Sequence, residues 1–206
     1  MDSALFIFKL IVLVFSVVVH EISHGFVAER LGDPTARRAG RLTLNPVAHV
    51  DLFGSIILPL LMAMAGGVVF GWAKPVPVDP RYFKHRDRDM ALVSAAGPLS
   101  NLTLAAIFSV FFRAVPYFAT GSMADALQGL FVVIVLTNIS LAIFNLVPIP
   151  PLDGSGVLMA LLPRSAQQFR MFLERYGMIV FLIFVFLGMS LISPIIEFLA
   201  RFFLGV

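Results

Sequence analysis

Five long apolar stretches, at about 4–28, 52–72, 91–118, 126–150 and 177–204, restrict the fold of this chain more than any other feature. A run of roughly 20 apolar residues matches the ~30 Å hydrocarbon core of a bilayer. No water is present there to satisfy backbone N–H and C=O groups, so each crossing must be a helix that satisfies its own. Charged residues are only 13% of the chain and hydrophobic ones 59%, whereas ordinary soluble domains carry about 25% charged residues. The expected fold class is an all-α polytopic membrane protein, with a single membrane-embedded domain over 1–206. The first run, Ala4 to Val19, lacks a small-residue cleavage site and continues directly into His20, which reads as a retained anchor helix.

The second stretch differs from the others. Pro59 and the Gly66-Gly67 pair interrupt it, as expected of a broken or re-entrant segment over 52–72. Charge placement supports this. Apart from Lys9, Arg113 and Arg201, every Lys and Arg falls in 29–51, 73–90 or 154–176, and cytoplasmic loops accumulate such residues. If all three regions share the cytoplasmic face, 52–72 enters and leaves on one side, and about four helices span. The N-terminus then lies outside and the ends of the first and third spanning helices lie inside. Pro194 is expected to break the last run and leave 195–206 as a short terminal helix at the outer surface. The net charge of +3 is explained by this orientation, with no nucleic-acid partner implied.

Within the first helix stands His20-Glu21-Ile22-Ser23-His24. At ~100° per residue, positions i and i+4 lie about 40° apart, so both imidazoles reach one ion. Glu21 lies beside that ion as a general base, the arrangement of HExxH metalloproteases. Ionisable groups at membrane depth are functional by default; the competing reading is a hydrogen-bonded polar patch between helices. With no cysteine in the chain, a metal must be held by His and carboxylate. A catalytic site needs a third protein ligand and an open position. Asp153 follows Pro148, Pro150 and Pro151, which cannot continue a helix. It is either a ligand offered from irregular chain or a cap on the next short helix, and local chemistry leaves both open. His49, His85 and several carboxylates are the other candidates; Asp153 is the strongest, and His49 is read as fixing its loop or supporting a ligand from behind. The charged run Lys84 to Asp89 reads as a solvated interfacial face, and 73–80, with Pro75, Pro77 and Pro80, reads as an extended edge segment.

His20 to His24, Ala96-Gly97-Pro98-Leu99-Ser100-Asn101 and Asn145 through Gly154 occur in an order that resembles the site-2 proteases, intramembrane zinc metalloproteases, in a compact prokaryotic branch without an appended soluble domain. The resemblance implies one Zn2+ per chain held by His20, His24 and Asp153, with Glu21 as catalytic base. It implies that Asn145 lines the site and holds substrate backbone or the oxyanion. Asn101 matches the family's Gly-Pro-x-x-Asn element, with substrate binding and interhelical packing both open, and Gly97 is read as a point of close helix approach. Short membrane-associated strands are expected, with 73–80 as one that pairs with an unwound substrate. The expected reaction is hydrolysis of a peptide bond in or near a membrane-spanning segment of another protein, in a prokaryotic cell membrane, with the site opening to the cytoplasm. The alternatives are a membrane metal-binding or transport protein, which would show more polar residues in the outer half of the membrane, and a catalytically silent scaffold, which would have lost the glutamate or a ligand.

Overall fold

The computed structural model describes residues 3–57, 61, 64 and 73–205. Among the described residues, seven α-helices run in the order α1 (Ser3–Arg30), α2 (Thr35–Arg38), α3 (Arg86–Ala114), α4 (Gly121–Asn145), α5 (Asp153–Leu161), α6 (Gln167–Ile183) and α7 (Met189–Leu204). Among the described residues, four units are long and apolar enough to cross a membrane: α1, α3 with its 3-10 extension to Tyr117, α4, and the continuous rod Gln167–Leu204 made of α6 and α7. The protein is an all-α polytopic membrane protein.

The helix ends follow local chemistry. Gly32, at φ +107°, lets the chain leave α1, and the Asp33 N–H returns to the Ala28 carbonyl, satisfying one of the last-turn acceptors. α3 begins earlier than the apolar run because Asp89 accepts a hydrogen bond from the His85 N–H at 2.9 Å. Asp89 is buried as a result, so the 84–89 run is not solvated throughout: Lys84 to Arg88 are exposed and Asp89 caps. α4 stops at Asn145, two residues before Val147, which Pro148 biases away from helical geometry.

Two expectations are corrected. The last apolar run does not break at Pro194, which lies inside α7. The irregularity is a π-helical turn at Phe184–Gly188, one turn upstream of the carbonyl that proline deprives of its partner. In lipid such local readjustment keeps a helix continuous. Nor are there strands among the described residues. Residues 73–79 are free of helix, but Pro75 and Pro77 have no N–H. The Lys74 and Val76 N–H groups are bound to the His49 carbonyl and the Glu21 carboxylate, which leaves no ladder to form. Of the expected re-entrant segment, Leu52–Ile57 forms a π-helical turn; Pro59, Gly66, Gly67 and Trp72 lie outside the described residues.

The spanning helices alternate in direction. The C-terminal end of α3 meets that of α7, where Arg113 donates to the Phe202 and Phe203 carbonyls at 2.7–3.0 Å. The C-terminal end of α1, the start of α3, the end of α4 and α5 therefore gather at the opposite end. Ala105, Val135, Ile139, Ala200 and Leu204 form the core near the Arg113 end. Ala28, Phe83 and Val93 form a second cluster beside the loops at the other. Phe6, Ile7, Phe186, Leu187, Phe198 and Phe202 are exposed, the outward face of helices whose solvent is lipid.

Candidate metal centre

His20 and His24 share one face of α1, both buried, with ring centroids 4.7 Å apart and planes at 83°. Asp153 reaches them from the first residue of α5. The chain after Asn145 turns sharply, the Pro150–Pro151 peptide is cis, and Gly154 lies closer to the Leu146 carbonyl than any Cβ would permit. Leu152 occupies the N-cap position of α5, and no side chain caps that end. Asp153 is instead turned toward the histidines: its Oδ2 lies 2.9 Å from His20 Nε2 and 3.3 Å from His24 Nε2.

The outer nitrogens of both rings are already engaged. His24 Nδ1 is 2.7 Å from the Val93 carbonyl, which can only accept, so this nitrogen carries the proton. His20 Nδ1 is 2.6 Å from Asn101 Oδ1. The orientation of that amide is fixed because Asn101 Nδ2 faces the Ser16 carbonyl at 3.2 Å and Asn138 Oδ1 at 2.9 Å. Asn138 is fixed in turn, donating to Ser16 Oγ at 3.0 Å and the Ile134 carbonyl at 2.9 Å. With Nδ1 protonated in both neutral rings, both Nε2 atoms present lone pairs. Those lone pairs converge on Asp153 Oδ2, a buried oxygen without a well-formed hydrogen bond. Three acceptors at such separations repel one another unless a cation lies among them. One donor atom from each residue falls within 4.8 Å of the others, so the donor set fits a divalent metal, and three protein ligands leave one position of a four-coordinate ion to another ligand.

α3 supplies the floor of this centre. Val93, Gly97 and Asn101 recur every four residues along one stripe. A Cβ placed on Gly97 would lie 2.6 Å from His20 Cε1 and Nε2, and nearer still to His24 Nε2. Gly97 thus touches both candidate ligands, beyond the helix approach expected of it. α5 packs equally tightly on α3, with Gly156 against Ser94 Oγ, and Arg170 closes its far end by donating to the Met159 and Leu162 carbonyls at 2.6 and 2.7 Å.

The other candidate residues have partners of their own. Glu21 is half-buried and its Oε2 accepts from the Val76 N–H at 2.9 Å. Asn145 ends α4 and donates back to the Leu141 carbonyl at 2.9 Å. Asn101 is fully buried, and its amide is engaged with His20, Ser16 and Asn138. His49 is buried, with Nε2 3.0 Å from the Thr43 carbonyl, and does not join the cluster of His20, His24 and Asp153. Sequence reasoning missed Ser16, Val93 and Asn138. Of these Asn138 carries a readable signal, an amide within an apolar helix, where it needs partners on other helices.

Buried imidazoles and a carboxylate of this kind, set among helices of membrane-crossing length, define a membrane-embedded metallohydrolase. The chain is matched over residues 8–191 by the model of Peptidase family M50, and it belongs to that family, the site-2 proteases. It is 42% identical to YwhC of Bacillus subtilis, named a zinc metalloprotease, over 85% of this chain and 78% of that protein. It is 34% identical to Rip2 of Mycolicibacterium smegmatis over 69% of the chain, and 30% identical to MJ0611 of Methanocaldococcus jannaschii over 74%; both bear the same designation. The match covers about half the length of that Rip2, 52%, and 70% of MJ0611. No solved structure matches the chain significantly.

Proposed function

We propose that this chain is a zinc-dependent intramembrane endopeptidase that hydrolyses a peptide bond in or near a membrane-spanning segment of another protein. The observation that carries the reading is the convergence of His20 Nε2, His24 Nε2 and Asp153 Oδ2, with both Nδ1 atoms committed elsewhere. These three residues hold the ion, and the zinc-metalloprotease names of the relatives favour zinc. Bound there, zinc supplies a Lewis acid that polarises a carbonyl and acidifies water. Glu21 accepts the proton of the attacking water as the new C–O bond forms. It then delivers that proton to the departing amine nitrogen as the C–N bond breaks. Asn145, at the end of α4, is the residue assigned to substrate backbone or oxyanion; Asn101 orients His20.

A spanning helix hides its peptide bonds in its own hydrogen bonds, so the substrate must unwind locally before it can be cut. The basic residues of 29–51, 73–90 and 154–176 accompany the end of the bundle that carries His24 and Asp153, which supports the reading that the site opens to the cytoplasmic side of a prokaryotic cell membrane. Metal analysis of purified protein, paired with cleavage of a panel of single-span membrane proteins, tests the reading. Glu21→Gln is expected to keep zinc and lose at least ~100-fold in cleavage; Asp153→Ala is expected to lose both. Retained proteolysis in the first variant would sink the mechanism, and full zinc occupancy in the second would sink the ligand assignment.

A further inference from the structure

Residues 73–79 form no helix and, among the described residues, pair with no strand, yet their polar backbone groups are tied down at several points. Among residues 74–80 the prolines at 75, 77 and 80 leave four N–H groups. Three of these have partners far away in sequence: Lys74 N–H on the His49 carbonyl at 2.9 Å, Val76 N–H on Glu21 Oε2 at 2.9 Å, and Asp79 N–H on Asp33 Oδ2 at 2.7 Å. Asp33 is fully buried, and its Oδ1 accepts from the Thr35 N–H at 2.9 Å. Arg41, also buried, donates to the Lys74 and Pro75 carbonyls at 2.8 and 3.1 Å and to the Ala48 carbonyl. A buried guanidinium is costly unless its N–H groups find acceptors, and every acceptor found for this one is a backbone carbonyl of the segment or of the loop beneath it.

The segment also fits α1 sterically. Glu21 and Gly25 lie four residues apart on one face of that helix, and both meet Val76. A Cβ on Gly25 would lie 2.8 Å from Val76 Cγ1, 2.7 Å from Leu42 Cδ2 and 2.9 Å from Ala36 Cβ. The contact between Glu21 and Val76 is therefore fixed from three sides: by the missing side chain at Gly25, by Arg41 above Pro75, and by Asp33 at the far end.

We infer that 73–79 is a positioning element for Glu21, with the Val76 N–H holding one carboxylate oxygen so that the other is presented to the reacting water. This rests on the assignment of Glu21 as base. It differs from the expectation that the segment pairs with substrate, since its central N–H is spent on the enzyme's own carboxylate. Val76 and Arg41 act through Glu21 and touch no reacting atom.

Replacing the Pro75–Val76 amide by an ester, through incorporation of α-hydroxyisovaleric acid, the hydroxy-acid analogue of valine, at position 76, removes the N–H and leaves the side chain. A hydrogen bond to a charged group contributes about 1.5–3 kcal/mol, so kcat is expected to fall roughly 10- to 100-fold on a substrate that the wild type cleaves. KM and the zinc content should stay unchanged. The ester also weakens Pro75 O as an acceptor, so Arg41→Lys, which cannot span three carbonyls, is measured beside it and should lower kcat in the same sense. Unchanged kcat in the ester protein would overturn the inference, and so would a raised KM at full kcat, the signature of a substrate-binding strand. A second arm needs no turnover. In metal-free protein, hydrogen exchange of the 74–79 peptide should quicken in Glu21→Ala, and unaltered exchange would refute the contact. Failure of the wild type to cleave any substrate would count against the proteolytic reading, while the exchange arm still decides the contact.

Discussion

Gly97→Ala adds a single methyl group at the floor of the metal centre, and its consequence can be worked from the coordinates. The new Cβ would stand 2.6 Å from His20 Cε1 and Nε2 and closer to His24 Nε2, whereas non-bonded heavy atoms settle at about 3.5–4.0 Å. A separation of roughly 1 Å must be found, and neither ring can retreat freely. His20 is tethered to Asn101 and His24 to the Val93 carbonyl, both on the helix that carries residue 97. The strain therefore falls on the ligand geometry or on the packing of α1 against α3. Metal sites tolerate about ±0.2 Å in ligand distance, and disturbing the groups that orient ligands typically weakens metal binding ~10- to 100-fold. A loss at the upper end of that range or beyond is expected here, because the methyl group meets the ligating nitrogens themselves. Overpacking costs about 1–3 kcal/mol, partly offset by the ~1 kcal/mol by which alanine is the better helix former, so the fold should survive. Competition against a zinc chelator of known affinity measures the first quantity, and thermal unfolding of metal-free protein in detergent the second. Wild-type zinc affinity in Gly97→Ala would refute the placement of α3 beneath the histidines.

Asn101→Leu removes the acceptor for His20 Nδ1 and two interhelical hydrogen bonds; zinc affinity is expected to fall about 10- to 100-fold, read by the same chelator competition. Arg113→Gln loses the contacts to Phe202 and Phe203 at the opposite end of the bundle; it should lower the unfolding temperature slightly while zinc affinity stays at the wild-type value. Chelation of the metal should lower thermal stability and addition of zinc restore it, because a ligand that binds only the folded state stabilises it. A melting temperature indifferent to zinc would count against a site formed by folding.

The sequence carried different parts of this arrangement with different clarity. His20, Glu21 and His24 are local, so helical geometry alone brings them together. Asp153 became legible through its prolines and through the charge distribution, which placed it at the same end of the bundle as His24. The helical parts of the fold were readable because apolar length is a direct physical requirement of the bilayer. What was not readable depends on the rotation and register of one helix against another. Val93, Gly97 and Asn101 form a stripe only when it is known which face of α3 meets α1. The partner of Glu21 lies 55 residues away on a segment without periodicity, and nothing in Pro75-Val76-Pro77 specifies a carboxylate as acceptor. Pro194 misled for a related reason. Proline ordinarily ends a helix, whereas α7 runs through Pro194 and the π turn lies upstream at Phe184–Gly188.

The division of the three candidate ligands between α1 and α5 also bears on the order of events at the ribosome. His20 and His24 emerge early, but the carboxylate that completes their set follows only after α3 and α4 have been made. The amide chain from His20 through Asn101 to Asn138 needs those same two helices. A nascent chain that has displayed only its first helix thus holds a two-histidine fragment with unsupported rings. The ligand set is consequently incomplete until the chain has been made as far as Asp153, with the last spanning rod, Gln167–Leu204, still to follow.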